Sequence, residues 1–130
     1  MPIPLLLTIG LHMAAALFWL LTSLVAGFGN NPALSGRLFR PQMVAATLAV
    51  FSGGGLWSML HPGVFGPQEI VLAVGAVLAI AAAGVQGAMV GGAARRLPDP
   101  AAEAKVVLGQ KIAAVLLLLT LACMLAARHV

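Results

Sequence analysis

Glu69–Gly92 reads EIVLAVGAVLAIAAAGVQGAMVGG. No charge follows Glu69, and at ~1.5 Å per residue the run is long enough to cross a bilayer as a helix. Gly75, Ala79, Ala83, Gly87 and Gly91 recur every four residues. In lipid, apolar side chains gain little by leaving acyl tails for each other. Helices associate there by close backbone approach, which small residues permit. The stripe therefore predicts a helix packed against its neighbours along its full length, with Val77, Leu78, Ile80 and Val85 covering the rest of its surface.

The chain around this segment has the same character. Of its 130 residues 62% are hydrophobic and 8% charged, against roughly a quarter charged in soluble domains. So few charges cannot cover a water-facing surface, so the composition implies an integral membrane protein. The pI near 10.8 does not indicate nucleic acid, because the basic residues sit in short loops between apolar runs and form no patch among aromatics. Cys123 is the only cysteine, which excludes an internal disulfide.

Three more spans follow from hydropathy and breakers, giving helices over about 5–28, 43–60, 69–92 and 106–127 within one transmembrane domain, 1–130. The first is not read as a signal peptide: no Lys or Arg precedes it, and it exceeds a signal h-region in length. Gly27, Gly29, Asn30, Asn31 and Pro32 end it, and Arg37 and Arg40 fall in the first loop. Pro41 is expected to open the second helix, which continues through Gly53, Gly54 and Gly55 because unpaired backbone is costly in lipid. His61 to Pro67 make a turn. Asp99 is placed to cap a helix beginning at Pro100 that starts amphipathic, with Lys105, Gln110 and Lys111, before entering the membrane. Six of the seven Lys and Arg residues lie in the first and third loops or at the foot of the fourth helix. The positive-inside rule makes that side cytoplasmic and puts both termini outside, in a bacterial inner membrane. The fold class expected is all-α: a four-helix up-down bundle.

This topology gathers His12, His61 and His129 toward the outer end, together with Met13, Met59, Cys123 and Met124. Thr8, His12, Ala15, Trp19, Thr22 and Ala26 form one stripe of the first helix, expected to face inward. Leu6, Leu17, Leu20, Leu21 and Leu24 are expected to face lipid. Thr47, Gly54, Ser58 and His61 form a similar stripe on the second helix. An ionisable side chain within a membrane points to function by default, and neutral imidazole ligates haem iron, copper or zinc. The alternative for His12 is a hydrogen bond to a helix carbonyl or to Ser58. For His61 it is a place at the interface. For the methionines and Cys123 it is packing. Gln86 is read as a bridge between helices. There are no HxxxH, CxxC, paired-carboxylate or Ser-His-Asp arrangements, so intramembrane acid–base or hydrolytic catalysis has no candidate pair.

Leu11-His12-Met13-Ala14-Ala15-Ala16-Leu17-Phe18-Trp19 resembles the first helix of the copper-resistance protein D family and of HemJ-type protoporphyrinogen oxidases. The resemblance continues through Arg40–Gly55 and Ala88–Arg96. It implies a four-helix membrane fold in which His12 ligates haem or metal, with Trp19 as its companion. The chain lacks the Gly that usually follows the Trp, and it is less charged than the oxidases.

Two functions are therefore carried forward. In the first, His12, with His61, holds a b-type haem or a copper ion near the outer face, supported by Trp19, Ser58, Met59, Cys123 and Met124. In the second, the chain is a non-enzymatic subunit without a cofactor, in a homo-oligomer or with other membrane chains.

Overall fold

The computed structural model describes residues 2–130 and consists of four long helices without a strand among the described residues. They are α1 (Ile3–Phe28), α2 (Pro32–Leu60), α3 (Pro67–Ala94) and α4 (Pro100–Ala126), and each is long and apolar enough to cross a membrane. A short 3₁₀ turn, Ala127–His129, ends the chain. The turns between helices are short, so successive helices run antiparallel. The two termini and the His61–Gly66 turn share one end of the bundle. The other, basic end carries the Gly29–Asn31 and Arg95–Asp99 turns.

Local chemistry fixes the helix starts. Asn30 takes a left-handed φ of 50°, which Asn tolerates better than most residues. The Asn31 side chain then accepts from the Leu34 N–H at 3.0 Å, and Pro32 occupies the first turn, where no N–H is needed. α2 thus begins eleven residues earlier than hydropathy suggests, with Arg37 and Arg40 on the helix and Pro41 inside it. The cap outweighs the internal proline, whose effect is local: with no N–H, Pro41 leaves the Arg37 carbonyl without its helical donor. Asp99 accepts from the Ala102 N–H at 3.3 Å and starts α4 at Pro100, as its position in the sequence implies. The glycine triplet at 53–55 does not interrupt α2.

The core is built from small residues. Ala15, Ala45, Ala46, Ala49, Ala82 and Ala113 surround Trp19, Leu20 and Leu117. A second cluster of Val90, Ala93, Ala102 and Val106 packs near the basic end. Leu20 belongs to this core and not to the lipid face; Leu6, Leu17 and Leu21 are exposed. On α2 the buried stripe is Ser35, Gln42, Ala45, Ala46, Ala49 and Ser52, whereas Thr47, Gly54 and Ser58 are exposed.

The small residues of α3 take different places. Gly75 packs on Cys123 and Met124 of α4, and Gly91 on the Phe39 ring of α2. Ala79 and Ala83 border the core, while Gly87 is exposed with open space around it. Geometry explains this. At 3.6 residues per turn, a strict step of four drifts by about 40° each time, so the stripe winds off the contact face. The buried residues instead step by seven, four, four and three: Gly75, Ala82, Gln86, Val90 and Ala93. A π-helical segment, Gln86–Gly91, further resets the phase.

At Gly27 the backbones of two helices meet: a Cβ there would come within 2.8 Å of the Lys111 backbone nitrogen. Backbone cannot rotate aside as a side chain can. Gly27→Ala should therefore lower stability by about 1–3 kcal/mol. Gly87→Ala should be neutral or stabilising by up to ~1 kcal/mol, the ordinary helix gain over glycine. Unfolding by SDS titration in mixed micelles, followed by far-ultraviolet circular dichroism, measures both.

Candidate functional site

Trp19 of α1, Gln42 of α2, Gln86 of α3 and Gln110 of α4 each lie about eight to ten residues from the basic end of their helix. Antiparallel packing brings their side chains together, with Gln110 entering from nearer the basic end, where its backbone lies against Gly27. The three glutamines are fully buried and Trp19 is 2% exposed. The Trp19 indole N–H donates to Gln86 Oε1 at 2.6 Å. The Gln86 amide donates to Ser23 Oγ at 2.8 Å and to Gln110 Oε1 at 2.9 Å. Gln110 and Gln42 then exchange amide hydrogen bonds at 2.8 and 3.1 Å. Gln110 also donates to the Ser35 carbonyl at 3.3 Å, and Ser35 Oγ donates to the Ala26 carbonyl at 3.1 Å. No buried side-chain nitrogen or oxygen among the described residues lacks a partner.

A primary amide suits this position. It offers two donors and two acceptor lone pairs without charge, so three amides can join four helices with no ion to desolvate. Gln86 bridges helices as its isolation in α3 suggests. Gln110 is not on the polar face of an amphipathic start; it is fully buried.

The histidines occupy separate places nearer the other end. His12 Nδ1 lies 2.9 Å from the Ala49 carbonyl and 3.2 Å from Ser52 Oγ. A carbonyl only accepts, so Nδ1 carries the proton and neutral His12 keeps its lone pair on Nε2. The Ser52 hydroxyl donates to the Leu48 carbonyl at 2.5 Å. A Cβ at Gly53 would reach within 3.1 Å of His12 Cε1, so the glycine makes room for the imidazole.

His61 ends α2, and its Nδ1 lies 2.6 Å from Glu69 Oε1. The other Glu69 oxygen accepts from the Gly66 N–H at 2.9 Å, capping α3. This carboxylate thus ties the end of α2 to the start of α3, beside the rings of Trp57 and Phe65. His12 sits against Ala49–Gly53, whereas His61 is roughly 12 Å farther along α2 at 1.5 Å per residue, so the two do not converge.

The other residues singled out by sequence are dispersed. Thr120 Oγ1 donates to the Gly75 carbonyl at 3.2 Å, in the seam where Cys123 and Met124 meet Gly75. Ser58 donates to the Gly54 carbonyl on an exposed face, and Met59 is also exposed. Trp19 is bound to Gln86 rather than set beside His12. No three His, Cys, Asp or Glu side chains group together among the described residues. His12 Nε2, opposite the bonded Nδ1, is the ring nitrogen left with a lone pair.

The chain matches no protein-family model, no curated protein and no solved structure.

Sequence reading missed the amide layer and the Glu69 clamp. Both left a signal: three of the chain's glutamines stand one to a helix, each within about ten residues of its basic end, and Glu69 is the acidic residue nearest His61 in the chain. Leaving a buried polar partner unsatisfied costs about 1–3 kcal/mol. Gln86→Leu removes the acceptor of Trp19 and should lower stability by ~2–3 kcal/mol in SDS titration. With Trp19→Phe in addition, the second loss should be clearly smaller than in the parent, because the indole N–H it strands is already gone.

Proposed function

We propose that this chain is a non-catalytic, multi-pass subunit of a larger assembly in the bacterial inner membrane, formed with its own copies or with other membrane chains. The observation that carries this reading is the use made of the interior polar groups. The amide layer, the Glu69 clamp and the Thr120–Gly75 contact all join helix to helix. Such a bundle is a rigid frame with long apolar outer faces, which suits packing against further helices.

Six of the seven basic side chains at or near one end support a cytoplasmic position for that end, with both termini in the periplasm. Alkaline phosphatase fused after Val130 should be active, and a fluorescent protein that matures only in the cytoplasm should be dark at the same position. The reverse pattern would overturn the orientation.

The subunit reading is tested by light scattering on the protein extracted from its own membrane in mild detergent. The expected protein mass exceeds one chain, through self-association or a co-purifying protein. A monodisperse single chain with nothing attached would sink the reading.

A second reading has its own support in the free Nε2 of His12 and in the resemblance of Leu11–Trp19 to the copper-resistance protein D family. His12 would hold a haem as its axial ligand on this chain, and the haem would supply one-electron transfer. About one iron per chain, lost in His12→Ala and kept in His61→Ala, would favour this reading over the first.

A further inference from the structure

Between α1 and α2 runs an apolar groove of about 410 Å³, lined by Leu11, Ala14, Phe18, Pro41, Val44 and Leu48 among others. Arg37, Pro41, Val44 and Leu48 are spaced i, i+4, i+7 and i+11, so they fall on one stripe of α2. Arg37 therefore stands one turn beyond the groove at its basic end. Arg40 precedes Val44 by one turn and flanks the same stripe. Both arginines are exposed. The one ion pair among the described residues joins His61 to Glu69 at the opposite end. From Arg37 to Leu48 is roughly 16 Å along the helix, about half of a ~30 Å hydrocarbon core. The groove itself, Pro41 to Leu48 on α2, takes up roughly 10 Å of that length. A pair of guanidiniums followed by a shallow, open apolar groove has the outline of a phospholipid headgroup and the first part of an acyl chain.

We propose that the α1–α2 groove holds an acyl chain of an anionic phospholipid whose phosphate is bound by Arg37 and Arg40. Charge complementarity selects this occupant. A planar guanidinium forks onto phosphate oxygens, and a lipid with net negative charge leaves the two cations neutralised, where a zwitterionic one brings its own cation. The groove seats the chain beneath. The helical start of α2 is what aligns the arginines with the groove; in a loop they would have no fixed relation to it. This inference is independent of the subunit reading.

Native mass spectrometry of the full chain in mild detergent, with equal phosphatidylglycerol and phosphatidylcholine, tests it. The expected preference for phosphatidylglycerol is roughly tenfold or more, from two basic side chains near an anionic headgroup. The Arg37→Gln/Arg40→Gln double variant should bring the preference to within about twofold. Arg95→Gln/Arg96→Gln, which removes as much charge away from the groove, should leave it unchanged. Ala14→Phe, which fills the groove, should reduce retention of phosphatidylglycerol while circular dichroism stays as in the parent. Equal retention of the two lipids by the parent would overturn the proposal. So would equal loss in the two double variants, which would mean diffuse attraction, or displacement by excess inorganic phosphate, which would mean a bare anion site.

Discussion

A side-chain amide in hydrocarbon has no water to return to, and this constraint organises the bundle. Gln42, Gln86 and Gln110 are fully buried, each on a different helix, and they are joined to one another and to Trp19 and Ser23. Each hydrogen bond between membrane helices adds only about 0.6 kcal/mol on average. The network's larger effect is on specificity. Any rotation or sliding of one helix would strand several donors at once, so the packing of alanines and glycines around the layer has a single register. The Ala-rich core allows the helices to approach closely, and the amides fix where they do so.

The two histidines fit this picture as helix connectors first. His12 reaches across to the backbone of α2 over the space left by Gly53, and His61 joins Glu69 to hold the α2–α3 turn. The first bond leaves a basic nitrogen free and the second ties the imidazole to a buried carboxylate. That difference separates two residues that look equivalent in sequence.

Much of the architecture is legible in the sequence because hydropathy and breakers act locally. Four spans, their antiparallel order, the Asp99 cap and the inward face of Ala15, Trp19 and Ala26 follow from pattern alone. The errors have physical causes. Pro41 reads as a helix start, yet the Asn31 cap with Pro32 is the stronger signal, so Arg37 and Arg40 belong to a helix. The fourfold stripe of α3 looks like one face but precesses around the helix, which leaves Gly87 exposed while Gln86 is buried. Partners far apart in sequence, such as Gln42 with Gln110 or His12 with Ala49, depend on helix rotation, which spacing fixes only to within tens of degrees.

The amide layer has one further property. Its members are neutral at every physiological proton concentration, and no formal charge sits among them. A charge moved across a membrane gains or loses about 2.3 kcal/mol per 100 mV, and an ionisable lock would loosen or tighten as the cell energised its membrane. Gln, Ser and Trp carry nothing for that field to pull on. The joint between the four helices therefore keeps its strength whether the membrane is polarised or collapsed.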